Sequence, residues 1–502
     1  MGAETNGIGL NAPIVGVCQD SRRVLPGSLF VCVVGENADG HDFAPVAIEA
    51  GAGALLVERY LPCDFPQVMV DEVRAVVGDL AAFLYDKPAQ RLTLVGVTGT
   101  NGKTTVVSLI GRVAACLGKK AGMIGTLGLE IDGCLTPGSH TTPEAVDVQA
   151  SLRRMVDEGV GLAAMEVSSH ALHQGRINGC AFDAMIFTNL TQDHLDYHKS
   201  MADYLEAKAL AFSRRDFYKN DRISLLNGDD PSCAYLLDKA GSAVTYGIDA
   251  LELDYRAANI VMSDGGAGFD VLCARKGAQS SAQKGVPVCR AQVQTPGRFS
   301  VYNALAVIAW ARESGYDVEA VCDVLAGIPG VPGRFESVRC GQDFQVIVDY
   351  AHTPDGLINV LTTAREITAG RLICVFGCGG DRDRTKRPLM GRAAASLSDV
   401  VIVTSDNPRT EDPAAIIDDI LPGLAPEGRV EPGSSYKIEQ DLEVTWMIEP
   451  DRYSAIAAAC RMARAGDTVM IAGKGHEDYQ IIGKDSIHFD DREVAAEILA
   501  GL

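Results

Sequence analysis

The sequence predicts an α/β protein of three domains, and three observations carry that expectation. A chain of 502 residues is longer than one hydrophobic core organises, so two to four domains are expected. Apolar runs of strand length are repeatedly followed by a short polar loop and an amphipathic stretch at helical spacing, the pattern of a parallel sheet covered by helices. That pattern starts afresh near residue 89 and again past residue 330, which places the boundaries at 1–88, 89–330 and 331–502.

Composition narrows the function classes. The 47% apolar and 22% charged content is that of a soluble globular chain, and no apolar run reaches membrane-spanning length. The first residues, Met1 to Asn6, lack the basic segment and hydrophobic run of a signal peptide, so a cytoplasmic protein is expected. A formal charge of −21 with no Lys/Arg-rich stripe argues against nucleic acid as a partner. An anionic substrate must then be held by local Arg, Lys, Mg²⁺ or helix ends. The 14 cysteines are scattered without a CxxC pair, Cys374 and Cys378 being closest, and read as reduced core residues rather than as a zinc or disulfide framework.

In the first segment, Pro26-Gly27 is a turn and the run after it a strand; Ala44 to Ala50 is an alanine-rich helix, and Gly51 to Val57 a helix end followed by another strand. Asp20-Ser21-Arg22 reads, on its residues alone, as a polar turn. No catalytic cluster is visible here.

The second segment opens on the stretch around which the chain is organised, Val95-Gly96-Val97-Thr98-Gly99-Thr100-Asn101-Gly102-Lys103-Thr104-Thr105. Leu92 to Val97 has a buried-strand pattern. Val106, Val107, Ile110, Val113, Ala114 and Leu117 recur at helical spacing until Gly118 offers a C-cap. Between them, Gly99 and Gly102 let backbone N–H groups face an anion, Lys103 adds a point charge, and the Thr104 hydroxyl suits Mg²⁺. Strand, glycine-bearing loop and helix together predict nucleotide triphosphate binding, although Val97 stands where the full motif has its first glycine. Leu162 to Val167 delivers Glu166, with Ser168, Ser169 and His170 after it; Ala184 to Thr188 leads to Asp193, His194, Asp196 and His198. Alone, Glu166 or His194 reads as a surface residue. Both at strand ends beside a phosphate loop suit a Mg²⁺ site. Ser200 to Phe212 is helical and places Tyr204 and Lys208 at i, i+4, where a lysine is ordinarily solvated. Asn227 to Pro231 is a turn, Asp264 to Gly268 a hairpin tip, and Thr295 to Asn303 opens an alanine-rich helix.

In the third segment, strands Phe344 to Val348, Leu372 to Phe376, Val400 to Thr404 and Thr468 to Ala472 each end in a polar loop. These carry Asp349 to Asp355, Gly377 to Asp383, Ser405 to Arg409 and Gly473 to Glu477. Any one could be a helix cap; four on one rim describe a binding face.

These motifs, in this order, resemble the Mur ligases, the cytoplasmic ATP-dependent amino-acid-adding enzymes of peptidoglycan synthesis. The resemblance runs from Asp20-Ser21-Arg22 and Asp39-Gly40-His41, through Gly99 to Thr105, Glu166 to His170 and Asp193 to His198, to Gly333 to Glu336, Asp349 to Asp355, Asp406-Asn407-Pro408-Arg409 and Gly473 to Glu477. It implies a small N-terminal domain for the UDP end of the substrate, with Ser21 as a contact, a central P-loop ATPase-like domain, and a C-terminal Rossmann-like domain that brings the amino acid. It further implies that Thr141, Thr142, Ser168, Gln174 and Arg176 hold the muramoyl-peptide and that Gly99 to Thr105, Asn303, Arg334 and Asp349 contact ATP. Lys208 matches the lysine that the family carbamylates, so the solvated cation becomes an anionic ligand which, with Thr104, Glu166 and His194, serves Mg²⁺, two ions being expected. Lys103, Glu166, His194 and Lys208 are then the catalytic set. Arg382, Asp406, Asn407, Pro408, Arg409, Gly473 and Glu477 match amino-acid contacts. Where the family usually has Asn after Gly297-x-Phe299, this chain has Ser300.

The implied reaction joins meso-diaminopimelate to the γ-carboxylate of D-Glu in UDP-MurNAc-L-Ala-D-Glu through an acyl phosphate, on a monomer. The arginine of Asp406-Asn407-Pro408-Arg409 is what lysine-adding relatives lack. A folylpolyglutamate synthase shares the central fold, but would leave the N-terminal segment and this motif unexplained.

Overall fold

The computed structural model describes residues 3–7, 13–35, 38–138, 140–263, 265–274, 286–424, 435–438 and 442–502. Met1, Gly2 and Asp264, which entered the reading of the N-terminus and of the hairpin tip, lie outside them. The chain is α/β throughout, with one sheet drawn from residues 4–69, one from 93–293 and one from 336–472.

The first sheet has five strands, in the order Glu4–Thr5, Gln67–Met69, Ala54–Val57, Ser28–Val31, Gly16–Cys18, all parallel but for the first pair. Its inner strands are continuous apolar runs because both faces are covered. One face buries Val17, Leu29, Val31, Ala54 and Leu56 against Val73, Val77 and Ala81 of helix Val73–Leu84, and that cluster also takes in Ala145 and Val146 from the central region. Contact is closest at Gly78, where a Cβ would stand 2.3 Å from the Asn178 carbonyl oxygen. The first unit is thereby packed directly against the second.

The central sheet has eleven strands, with a parallel middle and antiparallel edges. Strand Thr93–Thr98 lies between Leu162–Glu166 and Phe182–Phe187, parallel to both. Helices Lys103–Cys116, Arg298–Glu313 and Val318–Gly327 cover one face and Ala145–Asp157, Met201–Ser213 and Cys233–Ala240 the other. The loop after Thr98 therefore opens at the carboxyl ends of three adjacent strands, where parallel sheets bind ligands.

In the third sheet Gln345–Asp349, Thr468–Ala472, Leu372–Phe376 and Val400–Val403 are successive parallel neighbours, so their four polar loops do share one rim. A separate two-stranded hairpin, Tyr479–Ile482 with Asp485–His488, follows. Among the described residues no helix is long and apolar enough to cross a membrane. Eight of the fourteen cysteines are buried and all are free; the pair closest in space is Cys289 and Cys322, 2.9 Å apart at sulfur, not the sequence neighbours Cys374 and Cys378.

Candidate active site

The loop Gly99 to Thr105 takes its shape from its glycines. Gly99 has φ 145° and a Cβ there would lie 1.9 Å from Thr188 Oγ1, so only glycine admits the neighbouring strand end. At Gly102, φ 87°, a Cβ would lie 2.5 Å from Asn303 Oδ1, which puts Asn303 of the alanine-rich helix directly against the loop. Asn101 N donates to Asn189 Oδ1 at 2.8 Å, and the Asn101 carbonyl accepts from Thr188 Oγ1 at 2.6 Å and Asn189 Nδ2 at 3.2 Å. Thr100 Oγ1 lies 3.2 Å from the Tyr204 hydroxyl. The loop is thus braced from below before any ligand arrives.

A cavity of about 600 Å³ opens above it. Its walls include Thr100 to Thr105, Thr141, Glu166 and His194 from the central region and Arg334, Asp349 and His352 from the third. Arg334 Nη2 donates to Thr104 Oγ1 at 2.9 Å, with its guanidinium 4.5 Å over the Tyr350 ring. Asp349 accepts from the Phe335 and Ala351 backbone N–H groups, both at 2.7 Å, yet burial pushes its pKa up to about 6. Asn303 also lines the cavity. Ser300 does not: its hydroxyl lies 2.6 Å from both the Thr295 and the Gly297 carbonyl oxygens, donates to one of them, and so closes the helix start instead of facing a ligand.

Lys103 Nζ donates to the carbonyls of Gly99 and Thr100 at 3.0 and 2.8 Å. Lys208 Nζ donates to the same Gly99 carbonyl at 2.8 Å, lies 4.4 Å over the Tyr204 ring, and is 1% exposed. The solvated lysine expected from helical spacing is therefore not found. Burial, with Lys103 nearby, holds the Lys208 amine well below its ordinary pKa and favours the neutral, nucleophilic form. Glu166 is buried, accepting from Thr126 N at 2.8 Å and Thr126 Oγ1 at 3.2 Å. Burial keeps the His194 imidazole neutral, its pKa pushed down to about 3. Of the four residues expected around Mg²⁺, Thr104, Glu166 and His194 line the cavity and Lys208 is not part of its wall. Among the described residues no three His, Cys, Asp or Glu side chains converge as an ion site. A hard oxygen-loving cation fits this donor set only once a carbamate replaces the amine of Lys208 or phosphates supply the missing oxygens.

Beside the cavity, Thr142, Ser168, Gln174 and Arg176 form one cluster. Thr142 Oγ1 donates to the Glu166 carbonyl at 2.7 Å and accepts from Ser168 N at 3.0 Å; Arg176 donates to the Thr142 carbonyl at 3.0 Å and to Gln174 Oε1 at 2.9 Å. Thr141 Oγ1 lies 3.1 Å from Thr126 Oγ1. Ser21 stands apart, at the start of a 3-10 turn that Asp20 caps, on the N-terminal unit.

The amino-acid residues expected on the third rim gather around Lys474, which is fully buried. Its Nζ lies 3.3 Å from Glu477 Oε2, 3.4 Å from Asn407 Oδ1 and 3.9 Å from Asp406 Oδ1. Asn407 Nδ2 donates to Glu477 Oε2 at 2.8 Å, while burial and Asp406 push Glu477 above its ordinary pKa. A Cβ on Gly473 would lie 2.9 Å from Asp406 Oδ2. Pro408 is buried, Arg409 Nη1 donates to the Gly380 carbonyl at 2.8 Å, and Arg382 is exposed with Nη1 on the Asp381 carbonyl.

Sequence reasoning missed the side chains that join the two rims. Asp193, 5% exposed, lies 3.7 Å from Lys386 Nζ and 3.9 Å from His352 Nε2, and Asn101 Nδ2 donates to Asp355 Oδ2 at 2.9 Å. Burial alone would raise Asp193, but His194, Lys386 and His352 outweigh it and hold the carboxyl well below its usual range. Asp193 and Asp355 stood within quoted motifs; Lys386, on a helix starting after Asp383, carried no local signal.

Known proteins place this geometry. Residues 13–85 match the model described as Mur ligase family, catalytic domain; 97–311 match the Mur ligase middle domain, and 333–475 the Mur ligase, glutamate ligase domain. The chain is 47% identical over 492 residues to the UDP-N-acetylmuramoyl-L-alanyl-D-glutamate--2,6-diaminopimelate ligase of Geobacillus thermodenitrificans, covering 97% of this chain and 95% of the relative. It is 42% identical over 496 residues to the protein of that name from Listeria monocytogenes, covering 97% and 95%. A solved structure of a ligase of that name superposes with TM-score 0.66 at 34% identity, covering 97% of this chain and 95% of that one. A Mycobacterium tuberculosis folylpolyglutamate synthase complexed with ADP and AMPPCP shares the fold, with TM-score 0.62 at 17% identity over 80% of this chain and 92% of that one. On the strength of three family matches in sequence order and relatives similar over almost the whole length, this chain belongs to the Mur ligase family.

Proposed function

We propose that this protein is an ATP-dependent carboxylate–amine ligase that joins meso-2,6-diaminopimelate to the γ-carboxylate of D-Glu in UDP-MurNAc-L-Ala-D-Glu. The observation that carries this reading is the single cavity walled by the phosphate loop on one side and by Arg334, Asp349 and His352 on the other. Beside it stand the Thr142–Arg176 cluster and, on the same rim as Asp349, the Asp406 to Arg409 loop. Relatives that share nearly the whole length carry the name of this ligase.

Chemistry follows from the residues. The substrate carboxylate attacks the γ-phosphorus of ATP; the P–O bond to ADP breaks, and an acyl phosphate forms. The amine then adds to the acyl carbon, and inorganic phosphate leaves as the amide forms. Carboxylate and triphosphate repel, so the loop N–H groups, Lys103 and Arg334 must offset the charge that gathers on the transferring group. Mg²⁺ would supply positive charge to offset that of the phosphates and the carboxylate, and Thr104, Glu166, His194 and a carbamylated Lys208 are the side chains that would hold it. Carbamylation needs a neutral amine to attack CO₂ with loss of one proton, and burial together with Lys103 shifts Lys208 toward that form. Closure of the two rims over the cavity would exclude water from the acyl phosphate. On the amino-acid side, Arg409, Asn407 and Glu477 present one cationic fork, one amide and one carboxylate to a ligand with an ammonium and a carboxylate at each end. We read the chain as acting as a monomer in the cytoplasm. The test is turnover: ADP release beyond one equivalent per protein is expected only when UDP-MurNAc-L-Ala-D-Glu and the diamino acid are both present, and sustained release in the absence of either one would contradict the reading.

A further inference from the structure

The strongest feature outside the reaction itself is the small hairpin Tyr479–Ile482/Asp485–His488. It belongs to none of the three large sheets, its outer strand is exposed throughout, and Ile482 and Ile487 face solvent. A free two-stranded ribbon is marginal in water, so this one must lean on something. It leans on Asp406-Asn407-Pro408-Arg409. Gln480, 6% exposed, donates from Nε2 to the Asp406 carbonyl at 2.7 Å. Ile481 N donates to Asn407 Oδ1 at 2.9 Å, Arg409 N donates to the Ile481 carbonyl at 3.1 Å, and Gly483 N donates to the Arg409 carbonyl at 2.7 Å. Four hydrogen bonds thus fix both ends of a four-residue loop, and at Arg409 they hold both backbone polar groups.

Arg409 needs such a hold. Its φ is 51°, in the left-handed region that side chains other than glycine, Asn and Asp seldom enter, and such a conformation persists only where the surroundings over-determine it. The guanidinium is aimed by that backbone, with Nη1 on the Gly380 carbonyl at 2.8 Å. An extended Arg409 would carry the fork elsewhere.

We infer that this hairpin is the device that sets amino-acid selectivity, holding Arg409 in the left-handed conformation that aims its guanidinium, and that Gln480 is its principal positioning residue. The inference rests on the amino-acid site proposed above. Gln480 touches no reacting group; it acts through the backbone of the Asp406 to Arg409 loop. The whole device follows Gly473 to Glu477 in sequence, so a single stretch would supply both the residues at the ligand and the brace behind them.

Gln480→Leu removes the donor at nearly constant volume, and Gly483→Pro removes the N–H on Arg409 and, because φ there is 62° where proline is held near −65°, also opens the turn that joins the two strands. In purified full-length protein, both variants are expected to lower kcat/KM for meso-diaminopimelate by roughly 10- to 100-fold, the loss that a contact group displaced by about 1 Å produces. KM for ATP should stay within about twofold of the parent value, and the preference for meso-diaminopimelate over L-lysine should fall by about tenfold or more, an effect in the range of a lost polar contact. Arg409→Ala measured alongside separates the two readings. If Arg409→Ala loses the preference while both hairpin variants keep it, the hairpin inference is overturned and the site survives. If Arg409→Ala keeps the preference, the site assignment fails and the hairpin inference with it. A fall shared equally by both amino acids and by ATP would mark the hairpin as a merely structural support and would also overturn the inference.

Discussion

The residues that matter most are those whose environment contradicts their ordinary chemistry. Lys103 and Lys208 both donate to the Gly99 carbonyl, and two ammonium groups on one oxygen repel. Neutralising Lys208, or converting it to a carbamate, relieves that conflict, so the pairing itself favours the modification. Lys208→Ala is expected to be nearly inactive and to be partly rescued by small carboxylic acids that occupy the gap; parental activity in the variant, or a mass spectrum of crystals or flash-frozen protein without the carbamate, would remove Lys208 from the site. Lys103→Ala should leave the fold intact, because its partners are carbonyls of its own loop, and should abolish turnover. Circular dichroism and ATP-dependent ligation check the two halves. At Arg409 the expected change is one of selectivity: a site that pairs a charge rejects the analogue lacking it by roughly 10⁴–10⁵-fold, and Arg409→Ala should lose that discrimination between meso-diaminopimelate and L-lysine. The strand-end positions of Glu166, His194 and Arg409 were legible because each stands in a motif that ends or follows an apolar strand. The burial of Lys208 was not, since helical spacing says which residues share a face but not what packs on it.

Elements were more legible than their partners. Leu372–Phe376 and Thr468–Ala472 match their expected bounds, and the strand before the phosphate loop, expected at 92–97, lies at Thr93–Thr98. Runs of this kind are clear because a parallel strand buried on both faces must be apolar at every position. The Tyr479–His488 hairpin went unnoticed, because its exposed strand has no apolar alternation to betray it. Also hidden was Arg452, 1% exposed, which ties helix Arg452–Met462 to helix Asp491–Ala500 through Asp491 at 2.7 Å and reaches the Ala472 carbonyl at 3.0 Å. Removing one partner of such a pair strands a buried charge, so Asp491→Ala should lose about 3–5 kcal/mol of stability in urea unfolding. A loss below about 1 kcal/mol would mean that Arg452 finds water or another acceptor.

At the scale of the molecule, length and strand rhythm announced three α/β units, but not how they meet. The packing of Gly78 on the Asn178 backbone and of the Lys386 side chain on Asp193 joins residues more than ninety positions apart, beyond any local pattern. Their closeness also shapes the response to pH. Burial holds His194 and His476 near pKa 3 and His170, His198 and His352 near 4, against 6.5 in the unfolded chain. Their contribution to stability is complete above pH 6.5 and is lost as pH falls toward 4, because the unfolded chain then binds protons that the fold excludes. Asp349 works the other way: its pKa of about 6 against 3.8 means that stability falls as pH rises between those values. Five groups outweigh one, so unfolding near pH 5 should take up about four protons from this set, and Tm should rise from pH 4.5 to 6.5. A Tm that is flat or falls over that range would show these imidazoles to be solvated. The ligase assignment itself is tested most directly by incubating the purified protein with ATP, Mg²⁺ and UDP-MurNAc-L-Ala-D-Glu, together with either meso-diaminopimelate or L-lysine, and following ADP and the UDP-linked product. The expected result is stoichiometric ADP and tripeptide product with meso-diaminopimelate and almost none with lysine; equal use of both would contradict the amino-acid assignment, and no product with either would contradict the ligase.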